Sequence, residues 1–284
     1  MTETIIRTIN EIFKKLFSSI DTNLYEVLDE LTFINSDILN DKYFGKIFGT
    51  SASNGILLVA NALLIGFILY FAIKYLSSNF TYSRIENPTQ FIFKLIIFGI
   101  CMNSSYFIIK EILDINSYVS LAIRSIGEDL FNKDICFAKL IDSINANLKI
   151  DDSLDVFSLD GLIKGTTSMS LLNLVMTYAL RYIMVKIFVL LTPFAILSLA
   201  LESSSWFFKL WFRNLFSLLF VQIIVSIVLL LLFSIDYSSK DLFIKFSYIG
   251  GIYALIKANS FVREFMMGSG ISTNVQRGFN FAKK

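Results

Sequence analysis

The chain has 284 residues, of which 55% are apolar and only 17% charged, with a mean hydropathy of +0.66 and a net charge of +2. Soluble domains carry about 25% charged residues, so this composition points to a membrane protein. Histidine is absent and cysteine occurs twice, which removes the usual metal ligands and the commonest general base. The small net charge excludes a nucleic-acid-binding surface built on bulk charge alone.

No cleavable signal sequence is read at the start, where charges interrupt MTETIIRTINEIFKK and no apolar run precedes Gly55. Within residues 1–54, Ile5, Ile9, Ile12, Phe13, Leu16, Phe17 and Ile20 recur at helical spacing, continued by Leu24, Val27, Leu28 and Leu31. This predicts an amphipathic helix, lying on the membrane surface or packed on a neighbouring subunit.

A transmembrane helix needs about 20 mainly apolar residues. Residues 55–76 (GILLVANALLIGFILYFAIKYL) meet this requirement, and 91–112 follow with Lys94 and Lys110 near the ends. Residues 113–167 read as an acidic outer loop with helical periodicity at Ile115, Tyr118, Val119, Ala122 and Ile126, then Asp151, Asp152, Asp155 and Asp160. Residues 171–201 are apolar apart from Arg181, Lys186 and Pro193, too long for one untilted span and too short for two. The strongest span is 215–235, and 246–262 is weaker because Lys257 and Gly250-Gly251 dilute it. Five spans are therefore expected in an all-α protein.

Loop charge sets the orientation. Segments 74–94 and 257–284 have balances of +2 and +4, whereas 1–54 and 114–167 have −3 and −4. The basic segments belong in the cytoplasm. The expected layout is thus an extracellular segment 1–54, two spans in 55–112 joined by a short cytoplasmic loop, an extracellular loop 113–167, three spans in 168–262, and a basic cytoplasmic tail 263–284.

Among the polar features, Arg181 and Lys186 either anchor a helix at the interface by snorkelling or line a translocation path. Pro193 is expected to kink its helix. Trp206, Trp211 and Arg213 lie in SSSWFFKLWFRN, the composition of an interfacial aromatic belt; a short helix transmitting movement between spans is the other reading. Asn61, Asn103, Ser104, Ser105, Gln222 and Ser226 suit hydrogen bonds between helices, and Gly250, Gly251 and Ala254 suit close helix packing. Gly268-Ser269-Gly270 is not followed by the Gly-Lys-Ser/Thr of a phosphate loop. With no nucleophile–base pair, carboxylate pair or metal-ligand cluster in the pattern, no enzymatic activity and no cofactor are expected.

The run Leu190-Leu191-Thr192-Pro193-Phe194-Ala195, then Trp211-Phe212-Arg213 and a Gln-bearing span, resembles TrbL-type proteins. So does the ending from Lys257 to Met266 followed by Gly268-Ser269-Gly270. TrbL-type proteins are polytopic inner-membrane components of type IV secretion and conjugation systems, with forms in Gram-positive conjugative elements. The resemblance covers about residues 170–270 at motif level and the remainder as topology; long soluble extensions carried by some relatives have no counterpart. It implies a homo-oligomeric channel or platform in a bacterial cytoplasmic membrane, exporting DNA with attached protein. The implied partners are other secretion subunits, including cytoplasmic ATPases, besides the lipid bilayer and the transient DNA–protein substrate. A small-molecule permease and a scaffold of another envelope machine are the competing readings; the paired broken helices of many transporters are not matched in the two halves.

Overall fold

A computed structural model describes residues 8, 10–12, 15, 27–49, 54–81, 87–147, 159–235 and 242–267. Much of the predicted amphipathic segment (Ile5, Ile9, Phe13, Leu16, Phe17, Ile20, Leu24), the acidic residues Asp151, Asp152 and Asp155, and the tail from Gly268 lie outside these residues. Among the described residues all regular structure is helical. In order these are α1 (helical over the described residues 27–32), α2 (Asp37–Asn40), α3 (Lys42–Phe48), α4 (Gly55–Thr81), α5 (Pro88–Asn103), α6 (Ser105–Phe131), α7 (Phe137–Asn147), α8 (Leu159–Leu190), α9 (Thr192–Leu197), α10 (Ser205–Phe233) and α11 (Leu242–Met267). Two short 3-10 turns, Ser198–Ala200 and Glu202–Ser204, separate α9 from α10.

Among the described residues, three stretches are long and apolar enough to cross a membrane: Gly55–Ser77, Gly161–Leu190 and Glu202–Phe233. A fourth candidate is the pair α5 and α6, bent by 59° at Ser104. The protein is thus α-helical, with three to four candidate spans, and these make it a membrane protein. Three differences from the expected spans have physical causes. Span 91–112 is interrupted at Ser104, where Asn103 turns its amide back onto the carbonyl of Gly99 (2.9 Å), a local side-chain bond that competes with helix continuation. After the bend, α6 runs on to Phe131, so the first part of the expected outer loop is a continuation of the helix; it closes at Asn132, φ 49, a left-handed position that Asn tolerates. The apolar run 171–201 is not one helix: α8 begins at Leu159 and ends at Leu190, and the remainder folds as α9. The early start is possible because Thr166 and Thr167 bond their hydroxyls to the carbonyls of Leu162 and Ile163 (2.8 Å each), which hides their polarity from hydrocarbon. Finally, α11 forms over Leu242–Met267 but is not among the helices apolar enough to span, because Lys245, Lys257, Arg263 and Glu264 lower its hydropathy.

The chain divides into two compact units. The first comprises Met1–Ile34, Asn116–Ile183 and Ser217–Lys284. Its core joins Leu28 of α1 and Phe137, Leu140 and Ile141 of α7 to Leu174 and Tyr178 of α8, Val221, Val225 and Leu229 of α10, and Ile252 and Leu255 of α11. The second unit is Asn35–Ile115 with Met184–Phe216. There α9 wedges Ile196 and Leu197 against Leu57 and Ala60 of α4 and Met102 of α5. Phe71 and Phe91 stack with ring centroids 3.8 Å apart, and Asn61 and Asn103 exchange two amide hydrogen bonds of 3.1 and 3.2 Å.

Candidate functional site

In the first unit, polar side chains from four helices meet inside an apolar core. Arg181 on α8 is 0% exposed. Its Nε donates to the carbonyl of Leu218 on α10 (2.8 Å) and Nη1 to the carbonyl of Thr32 at the end of α1 (2.9 Å). A buried charge is tolerated only where such groups replace water. One turn past Leu218, Gln222 accepts through Oε1 from the backbone N–H of Ile34 (3.0 Å) and from Nδ2 of Asn116 (3.2 Å). A turn further on each helix, the hydroxyls of Ser120 and Ser226 lie 2.7 Å apart, and Ser226 also donates to the carbonyl of Gln222 (3.0 Å). Tyr178, three residues before Arg181, donates its hydroxyl to the carbonyl of Leu255 (2.9 Å). Polar positions repeating every four residues on α6 and α10 thus face each other as a seam. Gln222 and Ser226 form the interhelical bonds expected of them. Asn116 and Ser120 escape a hydropathy reading because they fall in the expected loop, although their i, i+4 spacing mirrors 222 and 226. Nothing in the sequence around Thr32 signals its place.

Lys186 has different neighbours. In the second unit its Nζ lies 3.5 Å from Oδ2 of Asp41 and 5.4 Å from the ring centre of Phe44, with 21% of the side chain exposed. Asp41 caps α3 by accepting from the N–H of Tyr43 (3.1 Å). That backbone donor, helped by Lys186, holds its carboxyl below the usual range. Of the two basic residues on α8, Arg181 is enclosed and Lys186 reaches the surface.

In the second unit, Pro193 follows the end of α8 and Trp211 bonds to it. Pro193 stands in the first turn of α9, immediately after the break at Leu191, where its missing N–H and fixed φ cost least. The carbonyl of Phe188, in the last turn of α8, accepts from the indole Nε1 of Trp211 (2.7 Å) and the hydroxyl of Thr192 (3.3 Å). Last-turn carbonyls lack intrahelical donors, so this indole completes the helix end. Trp211 is 3% exposed and acts in packing, whereas Trp206 is 62% exposed and meets Phe207 edge to face. Arg213 is half-buried in the same helix, which is continuous from Ser205 and not a separate interfacial piece.

No protein-family model matches the chain, and no curated protein matches its sequence.

On α11 in the first unit, a Cβ at Gly251 would lie 2.2 Å from Cδ2 of Leu232, so this glycine permits the approach of α10. Gly250 has open space around it and Ala254 is exposed, so among the described residues none covers that side of the helix. Among the described residues no three His, Cys, Asp or Glu side chains gather as a metal site.

Proposed function

We propose that this chain is a membrane subunit of a conjugative type IV secretion channel of the TrbL type, exporting DNA with attached protein across a bacterial cytoplasmic membrane. The observation that carries this proposal is the corner between α8 and α10. The two stretches bearing the resemblance, 190–195 and 211–213, each send one donor to the same carbonyl there, Thr192 and Trp211 both bonding to Phe188. Residues far enough apart to be unrelated by local sequence thus form one structural device. The proposed topology has five spans, α11 being the fifth, with the N-terminus outside and the C-terminus cytoplasmic. The proposed assembly is a homo-oligomer, because five spans are too few to enclose a strand of DNA, and many large apolar side chains on α4, α5 and α11 are exposed within the single chain. Cytoplasmic ATPases supply the energy and other secretion subunits complete the path; the chain itself performs no chemistry.

Deleting the gene in a conjugation-competent host and restoring it in trans tests this proposal. Transfer between cells is expected to fall to background on deletion and return on complementation. Undiminished transfer after deletion rejects it.

A further inference from the structure

Among the described residues, three side chains of the buried seam end in donors with no protein acceptor. They are Nη2 of Arg181, Nε2 of Gln222 and the hydroxyl of Thr32. Thr32 and Arg181 are 0% exposed and Gln222 is 1% exposed. The bonds that these residues do make tie them into one ring. Arg181 binds the carbonyl of Thr32 and, on α10, the carbonyl one turn before Gln222; Gln222 in turn binds the N–H two residues beyond Thr32.

Counting hydrogens decides what such a ring accommodates. Nη2 and Nε2 each carry two hydrogens and the hydroxyl one, and of these groups only the hydroxyl accepts. A water molecule would accept from two donors but bring two of its own, so the surplus of donors persists. An anion accepts from several donors and brings none. Charge points the same way: among the described residues no carboxylate lies within ion-pair distance of Arg181, and carbonyl dipoles only partly offset a buried cation. The near-zero exposure of all three residues restricts the occupant to a small species.

We propose that Arg181, Gln222 and Thr32 form a buried site for a small monovalent anion of the halide class, with chloride as the occupant. The anion neutralises the guanidinium and fastens the segment following α1 to α8 and α10. This assignment is independent of what the channel carries.

The test uses the purified full chain in detergent. Chloride is exchanged stepwise for gluconate at constant ionic strength while the unfolding midpoint is followed. A saturable rise of about 4 °C with chloride is expected for the natural chain. Gln222→Glu keeps the Oε1 acceptor and places a carboxylate beside Arg181, so its midpoint should no longer depend on chloride. Thr32→Val removes one donor and should weaken the apparent chloride affinity about tenfold. Broadening of the chloride magnetic resonance line by the natural chain, reversed by bromide, gives a readout that needs no variant. Equal midpoints in chloride and gluconate with no line broadening overturn the proposal. So does a Gln222→Glu chain as chloride-dependent as the natural one.

Discussion

A guanidinium enclosed among apolar side chains loses several kcal/mol of hydration, which only well-placed acceptors restore. Arg181 obtains two of these from backbone carbonyls of α1 and α10, so its charge is bound up with the packing of those helices. Lys186 instead holds Asp41 at a part-exposed position, an arrangement that a neutral side chain can replace at small cost. Lys186→Gln is therefore expected to leave protein level and assembly intact, and transfer between cells should fall if this charge lines the path. Arg181→Gln is expected to lower protein level itself, read by immunoblot of membranes; equal levels of the two variants contradict this distinction. A second residue-scale prediction concerns Asp29. Its carboxylate receives the N–H of Phe137 at the start of α7 (3.1 Å), with a longer contact from Ala138 (3.5 Å), yet burial pushes its titration above the usual carboxylate range. A raised acid contributes stability that is present at low pH and lost as pH rises through its folded value. Asp29→Asn keeps an oxygen for Phe137 without the buried charge. It should unfold at a higher temperature than the natural chain at pH 7, with the gap closing near pH 4, whereas Asp29→Ala loses the cap at a cost of about 1 kcal/mol. Thermal unfolding in detergent at both pH values checks the sign.

At the scale of elements, hydropathy located the apolar helices well and their breaks poorly. A window over 171–201 sees continuous apolar residues, and only Pro193 hints that α8 stops at Leu190. The break is stable because Trp211, twenty-three residues further along the chain, supplies an indole donor to the carbonyl of Phe188, a partner that no composition rule announces. Reading the Trp-rich stretch as an interfacial belt suits the exposed Trp206 and passes over the buried role of Trp211, since composition carries no information on which indole finds a partner. The two can be separated by experiment. Trp211→Phe keeps most of the packing but removes the donor, and should cost about 1–2 kcal/mol in unfolding free energy. Trp206→Phe should remain within about 0.5 kcal/mol of the natural chain. Equal effects would mean that the indole hydrogen bond does not hold the corner. The small-residue pattern on α11 was likewise legible as a pattern only: Gly251 meets Leu232, while Gly250 and Ala254 face outward. The polar seam was half legible, because Gln222 and Ser226 sit in an obvious apolar helix and their partners Asn116 and Ser120 do not.

For the whole molecule, two places decide how many helices cross. The pair α5 and α6 either crosses once as a broken span or returns to the side it came from, and α11 either crosses or lies along the surface. If the pair crosses, residues 83 and 151 lie on opposite sides of the membrane; if it returns, they lie on the same side. Between 151 and the C-terminus stand α8, α10 and α11, so those two points are on opposite sides only if α11 crosses as well. Loop charge favours both crossings, with −4 over 114–167 against +2 over 74–94 and +4 over 257–284. Single cysteines in place of Ser83 and Asp151, labelled with an impermeant maleimide in intact cells, and a reporter fused after Lys284 read the three positions. Native Cys136 contributes little background because burial pushes its thiol up, and Cys101 is replaced by Ser. The expected result is labelling at 151 in intact cells, labelling at 83 only after lysis, and a cytoplasmic reporter. Labelling of both cysteines in intact cells would make α5 and α6 a re-entrant hairpin, and labelling at 151 with an external reporter would place α11 on the outer surface.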